Sequence, residues 1–174
     1  MQTPVPTIKE SVVPLDQFPH TSSESSIHDA VAQLFSHTVN GGGKLLFDEL
    51  LVINNQNQYV GRLTIRAILT CYFPSLFDGE QKEIFAGKKE KYTDLAILLE
   101  DNFQNECKRQ GGLPVSRFMS PPHKSIKADL HPLHAVEIMM EEEETCLPVV
   151  DNGTLIGVVR LIDLFRTLAG SCSL

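Results

Sequence analysis

Leu147-Pro148-Val149-Val150-Asp151-Asn152-Gly153-Thr154-Leu155-Ile156-Gly157-Val158-Val159-Arg160 reads as a hairpin. Two β-branched and aliphatic runs suit buried strands, and the Asp-Asn-Gly between them is turn chemistry. Far upstream the pattern appears once before. Leu50-Leu51-Val52-Ile53, a polar turn at Asn54 to Gln58, and Tyr59-Val60-Gly61-Arg62-Leu63-Thr64 repeat the arrangement in order. Each second strand runs directly into a helical pattern, Ile65-Arg66-Ala67-Ile68-Leu69 in one copy and Leu161-Ile162-Asp163-Leu164-Phe165 in the other. Each hairpin is also preceded by an amphipathic helix. Its apolar positions are Ile27, Ala30, Val31, Leu34 and Phe35 in the first copy, and Pro132, Ala135, Val136, Met139 and Met140 in the second. That spacing predicts a single buried helix face. The unit is therefore helix, strand, strand, helix, present twice. A unit of this size has too little core to stand alone, so the copies are expected to pack together about a pseudo-two-fold axis.

Working outward, the chain divides into a tail at 1–11, repeat one at 12–70, a connection at 71–112, repeat two at 113–170 and a short tail at 171–174. Val12-Val13-Pro14-Leu15 is a short extended approach to repeat one, and Pro114-Val115-Ser116-Arg117-Phe118-Met119 is its counterpart before repeat two. Gly41-Gly42-Gly43-Lys44 lacks the GKS/T and the strand-to-helix setting of a phosphate cradle, so it reads as a flexible insertion. The connection is too long to be a bare loop. Tyr92, Leu95, Ala96, Leu99, Phe103 and Cys107 form an apolar stripe that predicts a helix ending before Gly111-Gly112, with a weaker helical stretch from Ser75 to Phe85.

Composition excludes several functions. The 22 acidic and 15 basic residues give a net charge of −7 without a basic tract, which argues against nonspecific nucleic-acid or anionic-membrane binding. Cys71, Cys107, Cys146 and Cys172 are scattered and form no CxxC, so neither a disulfide framework nor a zinc knuckle is expected. No apolar run approaches the roughly 20 residues needed to span a bilayer, and Met1 to His20 has neither a basic start nor an apolar centre. A soluble, cytoplasmic protein is expected.

At the doubled hairpin the chain resembles the tandem cystathionine β-synthase (CBS) domain pair, or Bateman module. The second copy carries Ala135-Val136, Leu147-Pro148-Val149-Val150-Asp151, Leu155-Ile156-Gly157-Val158-Val159 and Asp163-Leu164. The first carries Ile27-His28-Asp29-Ala30-Val31, Leu51-Val52-Ile53 and Tyr59-Val60-Gly61. The resemblance implies an α/β (α+β) fold of two pseudo-two-fold related repeats, each a short sheet flanked by two helices, with a helical connection between them. It implies a stand-alone regulatory module that binds an adenosine-containing ligand between the repeats, either an adenine nucleotide (AMP, ADP or ATP) or an S-adenosylmethionine-like molecule. No cofactor is required. A homodimer and an unidentified effector protein are the implied partners, with no nucleic acid and no membrane. The alternative is a ligand-free oligomerisation or scaffold module.

In the family pattern a Ser or Thr near the phosphates follows the strand glycine, and an Asp at the start of the helix holds the ribose hydroxyls. This chain splits the pair: repeat one has Thr64 but Ala67, and repeat two has Asp163 but Arg160. The fixed fork of donors on Arg160 matches phosphate oxygens. Equally, an Arg160–Asp163 salt bridge would occupy both residues without any ligand. The resemblance also implies an adenine wall around His20 to Ser26 and Ile126 to Leu130. Ile126 and Ala128 from that wall, and Pro148, join Arg160, Asp163 and Thr64 as expected ligand-binding residues.

Other chemistry is weaker. His123, His131 and His134 match no standard metal-ligand spacing, and Glu141 to Glu144 read as a solvated loop, since four adjacent carboxylates cannot all face one point. Asp29 and Asp48 have no acid–base partner, and no nucleophile motif is present. Catalysis is not expected, and neither is a metal site.

Overall fold

The computed structural model describes residues 6–39, 43–74 and 104–171. The stretch Ser75 to Phe85, most of the 92–109 helix with its Leu95, Leu99 and Phe103 stripe, and Gly41-Gly42 lie outside the described residues; 104–111 is helical. The elements are β1 (Val12–Pro14), β2 (His20–Ser22), α1 (Ile27–Ser36), β3 (Glu49–Ile53), β4 (Tyr59–Thr64) and α2 (Ile65–Tyr72). The second half supplies β5 (Ile126–Lys127), α3 (Pro132–Glu141), β6 (Cys146–Asp151), β7 (Thr154–Arg160) and α4 (Leu161–Ser171).

The two copies share strand order, direction and irregularities. β2 runs parallel to β3 and β5 parallel to β6, while β3–β4 and β6–β7 are antiparallel hairpins. Each hairpin shifts register at the same place, between Val52 and Ile53 and between Val149 and Val150. The second turn is built by Asn152 and Gly153, both at positive φ (49° and 81°), the backbone that a two-residue type I′ turn requires. In the first turn Asn54 Oδ1 accepts from the Gln56 and Gln58 amides, and Asn57 takes the positive φ.

Helix starts are set by side chains. Ser26 and Asp29 form a reciprocal capping box on α1, and Thr64 Oγ1 accepts from the Ala67 amide on α2. On α3 a ring nitrogen of His131 accepts from the Leu133 amide ahead of Pro132. The predicted helix faces hold for Ile27, Ala30 and Leu34 and for Ala135 and Met139, which are buried. Phe35 and Met140 instead lie at 60% and 66% exposure. They end the apolar stripe on the rim of each helix, where the sheet no longer covers the side chain.

The halves are joined by an exchange of their lead-in segments. β1, expected to open repeat one, is hydrogen bonded to β7 of repeat two, with Val13 opposite Val158. Reciprocally, Ser120, ahead of repeat two, bridges Arg62 of β4, its amide donating to the Arg62 carbonyl at 2.9 Å and its carbonyl accepting the Arg62 amide at 3.2 Å. Apolar plugs are exchanged as well. Ile8 is fully buried in the repeat-two core with Ala135, Leu147 and Leu164, and Val115 is fully buried in the repeat-one core with Ile27, Leu50 and Ile68. By packing rather than by sequence order, residues 8–14 thus lie with repeat two. A third cluster of Phe18, Leu51, Leu155 and Val158 lies between the two sheets, placing the hairpins back to back.

Candidate functional site

The back-to-back packing sets two related junctions of a last strand with the helix that follows it, each facing the other repeat. In the first, β7 ends at Arg160 and α4 begins. A cleft of about 430 Å³ opens there between the repeats, with Phe18, Phe47, Asp48 and Glu49 on the repeat-one side and Cys146, Arg160 and Ile162 on the other. Arg160 grips Asp163 through two hydrogen bonds, Nε to Oδ2 at 2.6 Å and Nη2 to Oδ1 at 3.0 Å. The two side chains are thus paired in a salt bridge. The guanidinium carbon also stands 5.8 Å from the centre of the Phe47 ring, within cation–π range, and Phe47 packs against Phe18 with ring centres 4.6 Å apart. Both oxygens of Asp163 keep acceptor capacity beyond the bonds from Arg160, because a carboxylate offers about four lone-pair sites. An aromatic floor, a carboxylate with spare acceptors and a guanidinium at a helix start together can hold a flat ring, a diol and an anionic group.

Near the axis Glu49 and Cys146, the opening residues of β3 and β6, meet from the two repeats. Burial pushes the Glu49 carboxyl above its ordinary value, against the pull of Arg62. The Cys146 thiol is pushed up by burial and by the neighbouring Glu49 carboxylate, which keeps it protonated and unreactive.

The second cleft, at the β4–α2 corner, is filled by side chains. Arg62 Nη1 and Nη2 reach Glu144 Oε2 and Oε1 at 2.7 and 3.1 Å, and Nη1 reaches Glu49 at 3.4 Å. His123 Nδ1 lies 3.0 Å from Glu144 Oε1, and the His123 amide donates to the Tyr59 hydroxyl at 3.3 Å. The side chain of Glu144 is only 13% exposed, which corrects its reading as part of a solvated loop. Burial works against the charge on Arg62, but its carboxylate partners outweigh it and hold the guanidinium above its ordinary pKa.

A family model for the CBS domain matches residues 115–170. Among solved structures, the CBS-pair protein CBSX2 from Arabidopsis thaliana aligns at 18% identity and a TM-score of 0.65, over 95% of this chain and 96% of that one. This chain folds as a tandem CBS-domain pair. CBSX2 in complex with AMP aligns at 17% identity and a TM-score of 0.62, covering 95% of this chain and 98% of that one. The cytosolic domain of the Mg²⁺ channel MgtE in complex with ATP aligns at 15% identity and a TM-score of 0.57, covering 90% of this chain and 46% of that one. No match is found among the curated proteins.

Within this fold the expected site residues fall into three groups. Arg160 lines the open cleft and Asp163 is bound to it. Thr64 stands at the other cleft, where its hydroxyl is used in capping α2. Ile126 and Ala128 do not line the open cleft; they are buried with Ile8 and Met139 inside repeat two, because β5 pairs with the far end of β6 from Cys146. Pro148 is buried in mid-strand opposite Val158. The segment His20 to Ser22 is a strand paired to β3, and the aromatic residues that line the open cleft are Phe18, Phe47 and Phe165. Neither Phe18 nor Phe47 has a sequence motif that marks it. Among the described residues no group of three or more His, Cys, Asp or Glu side chains is placed to hold a metal ion, and no helix is long and apolar enough to cross a membrane. Asp29 is engaged in the α1 cap, and hydrogen bonds from Ser26 hold its carboxyl below the ordinary range.

Proposed function

We propose that this CBS pair is a regulatory module, without catalytic activity of its own, that binds an adenosine-containing ligand in the open cleft between its repeats. The observation that carries the reading is that Phe47 of repeat one and Arg160 of repeat two line one cleft, with Asp163 hydrogen bonded to Arg160. Two fold relatives crystallised with AMP and with ATP support the ligand class. In this reading the base lies on Phe47, the ribose hydroxyls donate to the free lone pairs of Asp163, and Arg160 takes a phosphate oxygen. Asp48 and Glu49 on the opposite wall disfavour a long anionic tail, so AMP and adenosine rank above ATP.

A ligand that touches both repeats stabilises one relative orientation of them, and its difference in affinity between orientations is the signal that can be passed on. The exposed apolar side chain Leu69, together with Ile162 and Phe165 at the mouth of the open cleft, offers the surface for a homodimer or an effector protein, whereas Ile68 and Leu164 are committed to their own repeat cores. A cytoplasmic setting fits this reading. Thermal-shift titration with adenosine, AMP, ATP and S-adenosylmethionine tests it, because a specific ligand raises Tm with concentration. A flat response to all four would favour the scaffold reading.

A further inference from the structure

We propose that Glu144 closes the second cleft from within, a resident carboxylate standing where a ligand anion would sit, so that the CBS pair takes one adenosine ligand per chain. The inference rests on the reading of the open cleft as a ligand site, and it extends that reading to its duplicate. The two clefts are built from corresponding parts. Thr64 and Arg160 each end a last strand and precede a helix, and Glu49 and Cys146 each open the first strand of a hairpin. At the first cleft the residues around these positions leave open space. At the second, Glu144 projects from the loop before β6 to the guanidinium of Arg62 on β4, joining repeat two to repeat one.

The geometry is that of a bound anion. The Glu144 oxygens meet Nη1 and Nη2 in the two-pronged arrangement with which a guanidinium also holds a phosphate. His123, fixed by the Ser120–Arg62 backbone pairing and by the Tyr59 hydroxyl, closes on the same carboxylate. Glu49 faces Arg62 from its own sheet, so the cluster holds two carboxylates, one guanidinium and one imidazole. Its delivery involves a strained backbone: Glu143, immediately before Glu144, adopts a left-handed conformation at φ 55°, which non-glycine residues rarely take. Within the guanidinium, Nε is buried with no hydrogen-bond partner among the described residues. An incoming anion would have to displace a largely buried two-pronged ion pair. Removal of the carboxylate charge leaves Arg62 as a latent anion site beside the Thr64 cap.

Calorimetric titration of the full chain with AMP decides the matter. The wild type should bind about one AMP per chain and Glu144→Ala about two, with the added event surviving in Glu144→Ala/Arg160→Ala, because Arg62 rather than Arg160 receives that phosphate. Glu144→Gln, which keeps the shape of the side chain, serves if the alanine variant does not fold. A folded Glu144 variant that still binds one AMP per chain, or a wild type that binds two, overturns the proposal. If the wild type binds no AMP but the Glu144 variant gains a site, the reading of the open cleft fails, and with it the count of one ligand per chain, while the closure of the second cleft by Glu144 stands. If neither binds, both fail.

Discussion

The carbonyl oxygen of Ser120 lies 2.5 Å from where a Cβ on Gly61 would stand, well inside van der Waals contact. The Val13 carbonyl is closer still to the corresponding position on Gly157. Both glycines thus serve the same exchange, leaving room for a lead-in segment to lie across the last strand of the other repeat. The oxygens concerned belong to backbone, which cannot swing aside as a flexible side chain would. Gly61→Ala and Gly157→Ala should each cost about 1–3 kcal/mol or more through overpacking. Thermal unfolding checks this, at about 2–4 °C per kcal/mol for a chain of this size. Gly153→Ala, with nothing within 4 Å of its added Cβ, should lose only what its positive φ costs.

Ile8 gives the second test, because sequence order places it in a tail and packing places it in the repeat-two core. Its amide donates to the Leu130 carbonyl at 2.9 Å, so both backbone and side chain are committed. Ile8→Ala should destabilise the protein by about 2–5 kcal/mol in urea unfolding. A loss below about 0.5 kcal/mol, the scale of surface substitutions, would mean that the segment does not hold repeat two together.

Glu49 yields a pH prediction with a definite sign. Its carboxyl is raised by burial above the ordinary value of 4.5, so the folded state holds the proton more tightly than the unfolded chain. Its contribution to stability is therefore fully present below pH 4.5 and is lost as pH rises through the higher folded value. Glu49→Gln mimics the protonated form. It should raise Tm at pH 7, and the gain over wild type should shrink as pH falls toward 4.5. An unchanged Tm at pH 7, or a gain that grows on acidification, would contradict the assignment.

The doubled helix-strand-strand-helix unit was legible because local signals carry it: strand runs, Asx-Gly turn chemistry and helical spacing all act between near neighbours. Asp163 and Arg160 were legible for the same reason, lying three positions apart on one helix start. The exchange of Ile8 and Val115 was not, since nothing in the periodicity of a short apolar segment says which of two similar cores it enters. Glu144 was hidden in a run of identical charges, and only the turn at Glu143 separates its fate from that of its exposed neighbours. Arg62 lay inside a strand pattern where a single polar residue normally marks the solvent face. Phe18 and Phe47 could be read only as apolar residues, although they floor the open cleft.

The open cleft is tested most directly by calorimetry with adenosine and AMP on the wild type, Asp163→Ala and Arg160→Ala. Asp163 accepts the ribose hydroxyls in this account, so Asp163→Ala should weaken adenosine by one to two orders of magnitude, as about 1.5–3 kcal/mol of charge-assisted hydrogen bonding implies. Arg160→Ala should bring AMP down to the affinity of adenosine, because only AMP presents the oxygens its guanidinium reads. Equal adenosine affinity in the wild type and Asp163→Ala would contradict the account.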